Sequence, residues 1–149
     1  MSVKQLDDDV PEVIDHVGWG LHEAYRLWKQ EFIAGMVERG YAWFGEARAN
    51  LIGYMEVEGL RQVELVRRSG LSKQAVQQLL DELVAEDVLA RIPDPADRRG
   101  NFIVFTRAGQ RLRRDANTIK RRIERVWRKR LGDARFDELV SILNDLSDH

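Results

Sequence analysis

The sequence predicts a mainly α fold with a small β-hairpin wing, in which a helix-turn-helix core is flanked by long N- and C-terminal helices. Three observations carry that prediction. Ser69-Gly70-Leu71-Ser72 closes one helical pattern and opens the next, because glycine takes the left-handed conformation that stops a helix and serine is a good N-cap. The helix that follows, from about residue 73 to residue 86, has one aliphatic face and one glutamine-rich face. Beyond it, two β-type runs, residues 88–92 and 102–106, flank a tight loop of Pro, Asp, Arg and Gly with Arg98 and Arg99 at its tip. A helix-turn-helix followed by a basic hairpin is a winged helix-turn-helix.

The elements are read in chain order. After an acidic tail, Pro11 suits the first turn of a helix, where its missing N–H costs nothing. Ile14, Val17, Leu21, Ala24/Tyr25, Trp28, Phe32 and Met36 then recur three or four apart, which predicts one long amphipathic helix ending near Gly40. Gly18, Gly20 and Gly35 argue against an unbroken rod. A second helix is expected over residues 43–55, with Phe44, Ala47, Leu51, Ile52 and Met55 inward, and Glu58-Gly59 punctuates the chain. A short helix over residues 61–68 is expected to bury Val63 and Val66 or their neighbours, with Leu71 as the buried turn residue. Placed at about 100° per residue, Ala75, Val76, Leu79, Leu80, Leu83 and Val84 share one arc of the next helix, opposite Gln74, Gln77, Gln78 and Asp81. Thr106 caps a long, very basic helix reaching about Leu131, and Gly132-Asp133 breaks it. A last helix over residues 134–146 would bury Phe136, Leu139, Val140, Leu143 and Leu146.

The chain shows no internal repeat, low-complexity tract or linker. It is expected to divide into an acidic tail and N-terminal dimerisation helix (residues 1–42), a winged helix-turn-helix lobe (residues 43–109), whose chemistry points to DNA binding, and C-terminal dimerisation helices (residues 110–149), all in one structural unit. The arms are assigned to a dimer because their apolar stripes have no second domain to cover them, and most soluble oligomers are symmetric dimers.

A chain of 149 residues supports one domain with a core, and 44% hydrophobic with 33% charged residues is a globular balance. The absence of cysteine excludes disulfides, thiolate metal sites and thiol redox sensing. No apolar run approaches the roughly 18 residues of a membrane span, and the polar, acidic start is no signal peptide, so a soluble cytoplasmic protein is expected. The net charge of −1 hides a polarised distribution. Residues 1–23 set six acids against Lys4, while residues 107–130 set eleven basic side chains against Asp115 and Glu124. The basic segment can face phosphates or pair with the acidic segment of a partner subunit.

Glutamine on a groove-entering helix is chemically apt, since its amide pairs bidentately with adenine N6 and N7. Gln74, Gln77 and Gln78 lie in the first two turns, where base edges are reached, and Ser72 and Lys73 at the helix start suit phosphates. An ordinary solvated helix face has the same composition, but the turn before it and the hairpin after it favour DNA. Asp81 shares this face, where it would repel phosphate unless it tethers an arginine. Arg98 and Arg99 suit a minor-groove probe, with Asn101 at the foot of the hairpin. Asp94 and Asp97 can orient those guanidiniums through bidentate pairs, or can simply be turn residues.

At this point the run from about Leu60 to Gly109 resembles the DNA-binding core of the MarR family of bacterial transcriptional regulators. The resemblance rests on Ser69-Gly70-Leu71-Ser72, on Leu79 to Leu83, and on the wing sequence Asp94-Pro95-Ala96-Asp97-Arg98-Arg99-Gly100. It also rests on Phe105-Thr106-Arg107-Ala108-Gly109, where the family has a hydrophobic residue, Thr, two variable positions and Gly. It covers about a third of the chain; the flanking helices match in order and length, and Gly40-Tyr41 stands where the family commonly has Gly-Leu. The resemblance implies a homodimer with each recognition helix in a major groove of a near-palindromic site. It also implies, often, a small ligand between the dimer arms and the DNA lobe that lowers DNA affinity. His22, Tyr25, Trp28, Trp43 and Phe44 can line such a crevice for a small aromatic effector, or can be core. With no cysteine, the peroxide-sensing role of one branch of the family is not expected.

No cofactor or metal is expected: Glu12 and His16 share a helix turn, but His22 lies off that face. No catalytic constellation is present either, since there is no Gly-rich phosphate loop and no framed nucleophile. The expected function is therefore that of a sequence-specific duplex-DNA-binding regulator, a repressor acting as a homodimer. The alternatives are a winged-helix protein-interaction module and a non-specific architectural DNA binder.

Overall fold

The computed structural model describes residues 12–147, so Pro11 and most of the acidic tail lie outside it. The elements run α1 (Val17–Glu38), α2 (Ala47–Ile52), β1 (Leu60–Arg61), α3 (Gln62–Ser69), α4 (Lys73–Ala85), β2 (Leu89–Pro93), β3 (Asn101–Phe105), α5 (Arg107–Leu131) and α6 (Asp133–Ser147). The sheet is antiparallel in the order β1-β3-β2, with Leu60 opposite Ile103 and with Leu89 to Pro93 running opposite Phe105 to Asn101. This is the predicted fold class, mainly α with a β-hairpin wing on a helix-turn-helix.

Local chemistry sets the boundaries. Gly70 sits at φ 67° and ends α3. Ser72 Oγ accepts the Ala75 N–H at 3.1 Å and starts α4. Thr106 Oγ1 accepts the Gly109 N–H at 2.9 Å to cap α5, and donates to the carbonyls of Asp87 and Val88. Gly132, at φ 84°, separates α5 from α6.

The core of the lobe is Leu65 of α3, Val76, Leu80 and Leu83 of α4, Leu89 of β2 and Ile103 of β3, all fully buried. Met36 of α1 joins Leu112, Ile119 and Ile123 of α5 and ties the lobe to the long helices. Gly35 does not break α1; it permits close packing, since a Cβ there would come within 2.7 Å of the Ile119 side chain.

Several expectations are corrected. α1 begins at Val17 rather than near Pro11, because His16 is extended at its N-cap. The second helix is only Ala47–Ile52, since residues 42–46 are turns in which Trp43 and Phe44 are each buried separately. Its phase moves with that start: Ala47 is exposed and Ala49 is buried. In α3, Val63 is 73% exposed and Leu65 takes its place, because the inward turn of Gln62 sets the phase. Leu71 is 43% exposed, not buried. Val84 lies at the exposed edge of the aliphatic arc of α4. In α6 only Phe136 is buried, under the Arg128 guanidinium at 4.4 Å, while Val140, Leu143 and Leu146 remain exposed in the single chain. The strand β1 was not foreseen, and β2 and β3 each sit within a residue of their predicted spans.

Gly109→Ala is expected to lose about 3 kcal/mol of stability by overpacking, as measured by thermal unfolding. The added Cβ would meet the Val88 carbonyl oxygen at 2.0 Å. The gain in helix propensity, about 1 kcal/mol, has the opposite sign and is too small to offset it. An unchanged or raised melting temperature contradicts the packing described here.

Candidate nucleic-acid interface

The exposed face of α4 carries Lys73, Gln74, Gln77, Gln78 and Asp81 along one shallow concavity. A second concavity lies between α4, α3 and the wing, lined by Gln62, Val63, Val66, Lys73, Gln77, Arg99, Gly100 and Asn101. Lys73 and Gln77 border both, so the helix face and the root of the wing form one continuous surface. Ser72 is at its edge as the α4 N-cap, where unpaired backbone N–H groups and the helix dipole favour an anion. Arg98 is exposed at the wing tip, away from the second concavity. The structure thus brings Ser72, Lys73, Gln74, Gln77, Gln78, Arg99 and Asn101 together.

The wing owes its shape to its acids. Asp94 is 5% exposed; its carboxylate accepts the Arg61 Nε at 3.0 Å and the Ala96 N–H at 2.9 Å. Its own N–H donates to the Gly100 carbonyl at 3.0 Å. Asp97 accepts the Arg99 N–H at 3.0 Å. The expectation that these carboxylates orient the guanidiniums of Arg98 and Arg99 is corrected: they cap backbone N–H groups and bind Arg61. Among the described residues, Arg98 and Arg99 form no ion pair, which leaves both cations to the surface.

Asp81 does tether an arginine, Arg91 of β2, at 2.8 Å. Arg91 also donates to the Gln77 backbone carbonyl at 3.3 Å, pinning the wing strand to α4. Gln62, Arg61 and Arg91 were not singled out from the sequence; the only available signal was that Gln62 falls on the same helical face as Leu65 and Val66. Arg67 and Arg68, just before the turn, are turned onto Glu64. Their hydrogen bonds, those of Arg67 first, hold the Glu64 carboxyl at about 2.

Of the aromatic candidates, Tyr25, Trp28 and Phe44 line a crevice of about 400 Å³ between α1, the α2 region and α5. His22 and Trp43 do not. His22 stacks on Trp19 on the exposed side of α1, and Trp43 is buried beneath Arg48. The crevice also contains Phe32, Met55 and Phe105, together with Lys29, Arg113 and Lys120 and no carboxylate. A neighbouring crevice shares Tyr25, Lys29, Asn50 and Gly53 with it and runs on to Ser69, Leu71, Ala75, Gln78 and Leu79.

On α5, Asp115 accepts Arg39 at 2.7 Å and the Tyr41 hydroxyl at 2.8 Å, while Arg128 binds Asp137 of α6 at 2.8 Å. Among the described residues no group of His, Cys, Asp and Glu is placed to hold a metal ion, and no helix is long and apolar enough to cross a membrane.

Residues 47–100 match the model of the MarR family. No curated protein matches the chain. Among solved structures, the transcriptional regulator Tm0710 from Thermotoga maritima is 26% identical over 88% of this chain and 91% of its own, with a TM-score of 0.64. Wild-type MarR from E. coli, in its apo form, is 18% identical over 90% of this chain and 98% of its own, with a TM-score of 0.67. The transcriptional repressor CouR bound to a 23-mer DNA duplex is 21% identical over 93% and 100%, with a TM-score of 0.68. CouR from Rhodococcus jostii RHA1 bound to p-coumaroyl-CoA is 23% identical over 89% and 92%, with a TM-score of 0.66.

Removing the buried carboxylate of the wing should loosen it. Asp94→Ala is expected to cost about 1–3 kcal/mol in thermal unfolding and to speed tryptic cleavage after Arg98 and Arg99. A variant as stable and as resistant as the parent would show that Asp94 does not hold the wing.

Proposed function

With residues 47–100 matching the MarR family and the chain folded as that family's winged helix, we propose that this protein is a sequence-specific duplex-DNA-binding transcriptional repressor. The observation that carries the reading is the continuous surface on which Lys73, Gln74, Gln77 and Gln78 of α4 meet Arg99 and Asn101 of the wing. In this reading α4 enters the major groove, where glutamine amides pair with adenine N6 and N7. Ser72, Lys73 and the α4 N-terminus take phosphates and set the register. Arg98 and Arg99 probe the adjacent minor groove, where negative potential concentrates. The CouR complex with duplex DNA supports this use of the fold.

The protein acts as a homodimer on a near-palindromic operator. The exposed Val17 and Leu21 of α1 and Val140, Leu143 and Leu146 of α6 support a partner subunit, which would cover apolar surface that a single chain leaves in water. Release is by a small aromatic effector in the crevice of Tyr25, Trp28 and Phe44. Lys29, Arg113 and Lys120, with no acid among the lining residues, favour an effector that also carries negative charge. Because the adjoining crevice reaches Ala75 and Leu79, an occupant can shift α4 against the wing. The structure of CouR with p-coumaroyl-CoA supports an aromatic effector.

The test is selection of genomic fragments by the purified protein at about 150 mM salt, where long-range non-specific attraction is screened. Enrichment of a few fragments sharing an inverted repeat is expected. Gln74→Ala should lose about 1–3 kcal/mol of discrimination at one base pair per half-site. Arg98→Ala/Arg99→Ala should weaken binding to every sequence and flatten the salt dependence. No enrichment at all points to a protein-binding winged helix, and enrichment without a shared site points to architectural binding; either result overturns the reading.

A separate titration addresses the effector. Aromatic carboxylates should quench Trp28 fluorescence and release the selected DNA, and Lys120→Ala should weaken that effect roughly tenfold. Release that is insensitive to Lys120 and Arg113 substitution would place the effector elsewhere.

A further inference from the structure

Resting on the DNA-binding reading, we propose that Gln62 of α3 is a positioning residue that determines which way round Gln77 presents its amide to a base pair. Gln62 is 8% exposed, and its amide is engaged by Gln77 and Asn101. Its Nε2 donates to Gln77 Oε1 at 2.7 Å, and its Oε1 accepts from Asn101 Nδ2 at 3.3 Å. Gln77 Nε2 in turn donates to Asp81 Oδ1 at 3.4 Å, and Asp81 is held by Arg91 at 2.8 Å. The amide donors all point the same way, from the wing root through α3 to α4. Gln62 bridges Asn101 and Gln77, and Asp81 closes the chain with an acceptor that cannot become a donor while ionised.

The two ends of a glutamine amide are nearly the same size, so an isolated glutamine turns over at little cost and offers donor and acceptor in either order. Gln77 does not have that freedom. Turning it would set its NH₂ against the NH₂ of Gln62 and its carbonyl against the carboxylate of Asp81, replacing two hydrogen bonds with two repulsions. Each of its amide atoms still keeps a second lone pair or N–H for an external partner. Because adenine offers a donor beside an acceptor where guanine offers two acceptors, the order of donor and acceptor on Gln77 is itself sequence information. The residue that determines it therefore lies on α3, outside the recognition helix.

The test is selection from randomised duplexes with the full chain as wild type, Gln62→Glu and Gln62→Met, each also in a Gln77→Ala background, with circular dichroism and thermal unfolding as folding controls. Gln62→Glu replaces the donor with an acceptor, so Gln77 must turn to donate to it, and Arg91 remains to neutralise Asp81. The expected result is a changed base preference at one position of each half-site, with affinity for the new best site within roughly tenfold of wild type. Gln62→Met removes both bonds and should broaden preference at that same position, and it decides alone if the charged variant unfolds. In the Gln77→Ala background neither substitution should alter preference. Uniform weakening by folded variants, with the preferred site unchanged, overturns the inference, as does a shift that survives in the Gln77→Ala background. A wild-type protein that enriches no sequence overturns the DNA-binding reading itself, and this inference with it.

Discussion

The surface shared by α4 and the wing, the proposed DNA contact, depends on β3 being held along both edges. β1 pairs with it through Leu60 and Arg61, β2 through all five of its residues, and Ile103 at its centre is fully buried between the helices of the lobe. An isolated two-stranded hairpin is marginal in water; a third strand and a buried face make this one a rigid arm. At one end of β3, Asn101 enters the amide chain to α4. At the other, Thr106 bonds back to the start of β2 and caps α5, with Gly109 packed against the Val88 carbonyl. The wing, α4 and the first turn of α5 therefore share one mechanical reference.

Charge is organised in the same economical way. The chain is close to neutral, but the acids near the surface of α4 and the wing are occupied. Asp94 holds Arg61 and the wing turn, Asp97 caps Arg99 through its backbone, Asp81 binds Arg91, and Glu64 binds Arg67 and Arg68. Each acid sets the position of a strand, turn or helix, while Lys73, Arg98 and Arg99 make no ion pair among the described residues. A surface with local positive potential is thereby built from a sequence whose net charge is −1. The crevice between α1, the α2 region and α5 follows a parallel pattern, with Lys29, Arg113 and Lys120 lying on or beside aromatic rings and no acid lining it.

Features carried by the local chemistry of single residues were legible in the sequence. Gly70, Ser72, Thr106 and Gly132 mark helix ends within a residue because a left-handed φ or a capping oxygen needs no tertiary partner. The glutamine face of α4 was legible because a helix of 13 residues has enough turns to define its phase. Legibility failed where phase depended on a neighbour. The eight residues of α3 define their inward face poorly, so the sequence leaves open which of Val63, Val66 and their neighbours is buried and gives little sign of the part Gln62 plays. Leu71 looks apolar and therefore buried, yet it projects from the turn, and the two residues of β1 carry no periodicity at all. Trp43 and His22 show the same limit: aromatic character marks a residue worth placing, but only packing says whether it faces a crevice, a core or solvent.

In the proposed complex α4 reads base edges while the wing tracks the neighbouring minor groove. Footprinting of the protein on its selected operator, combining protection of guanine N7 groups from methylation with hydroxyl-radical cleavage, is the decisive measurement. Two major-groove segments of N7 protection are expected, with centres about one helical turn, or a small multiple of it, apart. Each should be flanked by a minor-groove segment of sugar protection that disappears in Arg98→Ala/Arg99→Ala. Continuous backbone protection with no protected N7 group would mean that the glutamine face does not enter the major groove, and would contradict the account.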